Sequence, residues 1–297
     1  MRSLLLLLLL TAGLYAPAQR PGRVRQIPFN GGHISCRSYG SGKPLLLVHA
    51  GFQDHTMWSD QVNAFMNQYE VIVFDLPGHG ATTGGPARPF AADILRTLMD
   101  SLNIPSAPIV GLSMGSAVAL DFAVQFPKRV ERLVLAAPGL PGWDEVQALD
   151  TTTKQYISDL FGALERNDTA TAADVFVRAW YVGPERQRSS IPGMLWDYGY
   201  GTTLRNMKEH RVTGWPQFAT PTAVHRLDAL RIPVFLLTGT IDMPEVLKVH
   251  AYLKSRLPNV QEALLTGAAH MINLERSADF NRLLAAFLQN EPLPSLK

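Results

Sequence analysis

Short apolar runs recur along the chain, separated by stretches with a helical rhythm. Leu45-Leu46-Leu47-Val48, Val71-Ile72-Val73-Phe74, Ile109-Val110, 130–136 and 232–237 each read as a strand buried on both faces, and Ala263-Leu264-Leu265 as a short last one. Between them, 90–102 places Ile94, Leu95, Leu98 and Leu102 at helical spacing, and the stretch containing Trp58 and Phe65 is also helix-like. Upstream, 24–29 and 33–39 are extended runs around the turn signal Asn30-Gly31-Gly32, which predicts a hairpin. Strands alternating with helices predict an α/β fold: a mostly parallel, doubly wound sheet with helices on both faces. In such sheets ligands sit at the carboxyl ends of the strands.

Between 141 and 222 the alternation stops. This segment carries bulky aromatics (Trp143, Tyr156, Phe161, Phe176, Trp180, Tyr181, Trp196, Tyr198, Tyr200 and Trp215), and 153–166 and 171–181 look amphipathic. It is read as a helical lid inserted after the sixth strand, with 19–140 and 223–297 forming the core. The sequence does not distinguish the aromatics that glue the lid down from those that line a pocket.

The chemistry gathers at strand ends. Gly111-Leu112-Ser113-Met114-Gly115 lies where the Ile109-Val110 strand turns into a helix-forming stretch. A turn this sharp holds its apical residue in strained dihedrals, and glycines at 111 and 115 let neighbouring backbone pass without Cβ clashes. The Ser113 hydroxyl is thereby lifted clear, at the positive end of the next helix. Such a serine needs a base, and the base an orienting acid. His270 follows the last strand and Gly267-Ala268-Ala269, and Asp242 directly follows the 232–237 strand. The order Ser113, Asp242, His270 is the nucleophile–acid–base order of this topology.

Composition narrows the picture. Residues 1–18 combine Arg2, an unbroken leucine run over 4–10 and the small-residue site Ala16-Pro17-Ala18. That pattern reads as a secretory signal peptide, too short to span a bilayer, so the mature chain is expected to be exported to the periplasm or medium with no stable membrane anchor. Without it, about 279 residues remain, enough for one large core, with 26 basic and 25 acidic side chains. Near-neutrality argues against nucleic acid or anionic lipid as the main partner and leaves a small-molecule substrate. Cys36 is the only cysteine, so no internal disulfide can form. No His, Cys and carboxylate cluster shows metal-ligand spacing, so neither metal nor cofactor is expected.

From about residue 24 to 290 the chain resembles the α/β-hydrolase superfamily of esterases, lactonases and carbon–carbon bond hydrolases. The resemblance rests on His49-Ala50-Gly51-Phe52, Asp75-Leu76-Pro77-Gly78-His79-Gly80, the Ser113 turn, Gly239-Thr240-Ile241-Asp242 and Gly267-Ala268-Ala269-His270-Met271. It implies that Ser113 attacks an acyl carbonyl, His270 moves its proton and Asp242 orients His270. It further implies an oxyanion hole from the Met114 amide and one in the His49 loop, either Gly51 or Phe52. His49, His79 and Asp75 are expected to be structural, and Asp144 is a second candidate acid. Members that open epoxides attack with aspartate, whereas serine here implies acyl transfer to water. Carboxylic ester hydrolysis leads, with lactone opening, carbon–carbon cleavage or perhydrolysis open on the same residues, and a low-turnover ligand-binding module as the other class.

Overall fold

The computed structural model describes residues 22–84, 88–210 and 215–295. The leader read over 1–18 lies outside the described residues. Eight strands form one sheet: β1 (Arg23–Phe29), β2 (Gly32–Tyr39), β3 (Lys43–Val48), β4 (Tyr69–Phe74), β5 (Ala107–Leu112), β6 (Val130–Ala136), β7 (Val234–Gly239) and β8 (Val260–Leu265). Their spatial order is β1-β2-β4-β3-β5-β6-β7-β8. The β1–β2 and β2–β4 pairs are antiparallel, and every pair from β4 to β8 is parallel. This is the mostly parallel wound sheet expected from the apolar runs.

Those runs are continuous because alternate residues enter different cores. Leu45, Leu47, Val110, Leu112, Phe235 and Leu237 face one layer, with α1 (Ser59–Phe65). Leu46, Val48, Ile109, Leu133 and Leu236 face the other, against α2 (Ala91–Ser101) and α3 (Met114–Gln125). Residues 115–123 of α3 are all buried, which suits a helix apolar nearly all round. Cys36 packs in the second layer, and burial pushes its thiol up to about 12, so it stays protonated.

Between β6 and β7 the chain forms α4 (Trp143–Val146), α5 (Thr151–Glu165), α6 (Thr169–Val177) and α7 (Gly193–His210). The core resumes with α8 (Pro244–Arg256) and closes with α9 (Ile272–Glu275) and α10 (Ser277–Gln289). The helix expected over 171–181 starts earlier, because the Asp168 carboxylate caps the Thr171 amide, and its last turn widens to a π turn over Arg178–Val182. The strand expected over 232–237 begins only at Val234, after Pro233, which has no N–H to donate. β8 is longer than its apolar core, because as the outer strand it carries the polar Gln261 and Glu262 in its ladder.

Candidate active site

Ser113 links β5 to α3 with φ +57° and ψ −117°, a region costly for any residue with a Cβ. Two close approaches hold it there. A Cβ on Gly111 would lie 2.3 Å from the Gly115 carbonyl oxygen, and one on Gly115 would lie 2.2 Å from that of Val48. The Ser113 amide donates to the Ala136 carbonyl (3.0 Å), while Ser116 Oγ donates to the Ser113 carbonyl (2.6 Å) and accepts from the Gly139 amide (2.8 Å). The turn is thus pinned to the end of β6.

Asp242 and His270 sit on the loops after β7 and β8. These loops interlock: the Ile241 amide donates to the Ala268 carbonyl (3.1 Å) and the Gly267 amide to Thr240 Oγ1 (2.9 Å). His270 Nδ1 donates to the Asp242 carboxylate, 2.9 Å from each oxygen, and the Met243 amide donates to Oδ1 at 2.7 Å. Each residue is only 2% exposed, so water competes little for the pair. Asp144, the second candidate acid, is exposed on α4, and the structure brings Asp242 to His270 instead. The reason is topological: α4 leads into the helical insertion, whereas the β7 and β8 loops are neighbours.

A second carboxylate braces the histidine loop. The Ala269 amide donates to Glu275 Oε2 (2.9 Å), and Arg186 grips Glu275 bidentately at 2.6 and 3.1 Å. Arg186 also donates to the carbonyls of Tyr181, Val182 and Gly267, tying the π turn to the loop that carries His270. That turn lays the Trp180 indole on His270, ring centroids 4.5 Å apart.

The loops after β3 and β4 each hold a histidine as a structural hydrogen-bond bridge. His49 Nδ1 donates to the Ala50 carbonyl (2.7 Å) and Nε2 accepts from the Leu76 amide (2.8 Å). His79 Nδ1 donates to the Pro77 carbonyl (3.2 Å) and Nε2 accepts from the Phe52 amide (3.0 Å). Burial lowers both imidazoles, His79 to about 3, so both are neutral. Phe52 has φ +57°, and its amide is engaged by His79. Of the two oxyanion donors expected in the His49 loop, Gly51 and Phe52, the Phe52 amide is thus already engaged. Asp75 accepts from the amides of His55 (2.8 Å) and Ala81 (2.9 Å); burial raises its carboxyl, but the hydrogen bonds from His55 and Ala81 prevail and bring it to about 2. Asp54, His55 and Asp75 gather ligand atoms within 4.8 Å of one another, yet Asp54 already meets Arg205 (2.6 Å) and Thr56. The cluster braces the loop with charges answered by protein donors.

The neutral His79 has a consequence for stability. Between the ordinary value of 6.5 and about 3, the unfolded state binds a proton at this residue that the folded state does not. Stability contributed by His79 is therefore complete above about pH 6.5 and lost as pH falls, by up to about 1.4 kcal/mol per pH unit. Denaturant titrations at pH 7, 6 and 5 are expected to show His79→Gln with a shallower pH slope than wild type. Equal slopes would mean that His79 is not held neutral.

Ser113 and His270 open into one cavity of about 210 Å³, with Gly51, Phe52 and Met114 on the sheet side. Ile157, Leu160, Phe161, Phe176, Trp180 and Trp215 close it from the insertion. These include the four pocket aromatics that the sequence left unsorted. Tyr181 instead donates its hydroxyl to Gln53 Oε1 (2.6 Å), and Gln53 Nε2 donates to Thr203 Oγ1 (2.9 Å). Asn206 Nδ2 donates to the Phe52 carbonyl (3.3 Å) and its Oδ1 accepts from the Gly80 amide (2.7 Å). Sequence reading missed Gln53, Thr203, Asn206, Arg186 and Glu275, because their partners lie far away along the chain. No hydrogen bond joins Ser113 to His270 among the described residues, and such contacts commonly tighten only with substrate bound.

Comparison with known proteins places the fold. The family model described as alpha/beta hydrolase fold matches residues 43–277. A 2-hydroxy-6-oxononadienedioate/2-hydroxy-6-oxononatrienedioate hydrolase of Paraburkholderia phymatum is 29% identical over 84% of this chain and 88% of its own. The carboxylesterase YbfK of Bacillus subtilis is 23% identical over 86% and 83%. Among solved structures, that carboxylesterase superposes with a TM-score of 0.71 at 20% identity, covering 92% of this chain and 93% of the other. The enol-lactonase of Burkholderia xenovorans gives 0.66 at 21% identity, covering 88% and 98%.

Proposed function

The chain belongs to the α/β-hydrolase fold family, and on that premise we propose that it hydrolyses carboxylic esters through Ser113, His270 and Asp242. One observation carries the reading: His270, paired with the buried Asp242, lines one cavity with a serine held at positive φ. Ser113 Oγ attacks the acyl carbonyl while His270 Nε2 takes its proton, and the leaving alcohol then takes that proton from His270. Water enters by the same route and releases the acid. Asp242 keeps the proton of the neutral imidazole on Nδ1 and stabilises the imidazolium that forms.

The developing oxyanion needs donors already in position. Met114 is the first residue of α3, so its amide has no intrahelical acceptor. Gly51 lines the cavity facing it, with room for a Cβ no nearer than 3.6 Å to Trp215. Each donor would contribute roughly 2.7–4 kcal/mol to the transition state. An elbow serine makes an acyl-enzyme, which is why ester hydrolysis is preferred to chemistry at an aspartate.

The direct test is a fluorophosphonate, which reacts with an activated serine. Labelling of the folded protein is expected at Ser113 alone, located by mass spectrometry of the proteolytic peptide. No adduct on a folded protein would favour a ligand-binding module.

A further inference from the structure

The cavity's lining limits what can enter, and this inference rests on the ester-hydrolase reading above. Among the described residues, no lysine, arginine, aspartate or glutamate lines it. Its described polar groups are those of Ser113, His270 and the loop and helix-start backbone, which face the reacting carbonyl, and the neutral indole N–H groups of Trp180 and Trp215. A carboxylate brought there would lose its hydration with no cation to replace it, which is strongly unfavourable. Size adds a second limit. The cavity is about 210 Å³, and one of about 150 Å³ suffices for benzene.

The wall shared with a second cavity carries the third observation. Ile157, Leu160, Phe176 and Trp180 also bound a neighbouring cavity of about 10 Å³, room for about one water, whose other side is Tyr156, Val175 and Ala179. The Trp180 indole therefore has three neighbours at once: the acyl cavity, this second cavity and His270.

We propose that the cavity takes a neutral, apolar acyl group no larger than about one aryl ring or a six-carbon chain, excludes acyl groups ending in a carboxylate, and is bounded by Trp180 on the side of the second cavity. Trp180 is on this view a specificity-determining residue. Its removal joins the two cavities and lengthens the acceptable chain.

The test compares p-nitrophenyl hexanoate with the mono-p-nitrophenyl ester of adipic acid, the same six-carbon acyl chain ending in a carboxylate. Wild type is expected to prefer hexanoate by at least about 100-fold in kcat/KM, and to prefer hexanoate to dodecanoate by at least about tenfold. In Trp180→Ala the dodecanoate-to-hexanoate ratio is expected to rise at least about tenfold, whatever happens to the absolute rate through His270. Similar rates for hexanoate and hemiadipate, or an unchanged chain-length ratio in the variant, would overturn the proposal. A binding arm separates this from the reaction itself. In Ser113→Ala, quenching of tryptophan fluorescence should saturate with methyl hexanoate and not with adipate. That result with no ester turned over by wild type would support the cavity and sink the esterase; equal binding would sink the cavity.

Discussion

Ser113→Ala is expected to lower kcat for short p-nitrophenyl esters by about 10⁶-fold, the cost of losing the nucleophile in a comparable serine hydrolase. The loss should fall on kcat, with KM near wild type, because the cavity walls are untouched. It should also leave the fold intact. Ser113 Oγ makes no hydrogen bond among the described residues, so the deletion removes no buried contact, and stability should change by about 0.5 kcal/mol or less. The two readouts together make the prediction discriminating. A folded variant that keeps more than about 1% of activity would remove Ser113 from the reaction.

Asp242→Asn is expected to lower kcat by about 10⁴-fold with little change of shape. The Met243 amide donates to Oδ1 of Asp242. An asparagine would keep its oxygen there and turn its NH₂ toward Nδ1 of His270. Two donors would then face each other, and the imidazole proton would have to move to Nε2, the atom that must accept from Ser113. The geometry survives while the tautomer is wrong. Single-turnover kinetics would show the loss in acylation, and a variant within about tenfold of wild type would mean that Asp242 does not orient the base.

Much of this arrangement could be read before any coordinates, and the reasons are particular. Leu45–Val48 and Val71–Phe74 announce themselves as strands because neighbouring side chains enter opposite apolar layers, which leaves no polar position in the run. The Ser113 turn is legible because its constraint is local: Gly111 and Gly115 sit two residues either side, where any Cβ would strike backbone. Asp242 and His270 are legible from their places after successive strands.

Other features were not legible. Between Trp196 and Met207 the buried face of α7 consists of Gly199, Thr202, Thr203 and Asn206, residue types that read as surface until their partners are known. Phe52 and Gly51 are equivalent in sequence, and only the His79 ring, 27 residues on, decides which amide is free. Arg186 and Glu275 are 89 residues apart, and nothing near either one points to the other.

The division follows from the range of the forces. The chain by itself determined the wound sheet, the strained serine and the order of the candidate catalytic groups, because apolar periodicity and backbone sterics act within a few residues. Only the tertiary structure decided which of the Gly51 and Phe52 amides is engaged, the brace on the His270 loop and the aromatics around the cavity. Hydrogen bonds and close packing are satisfied between groups that the fold, and not the sequence, makes neighbours.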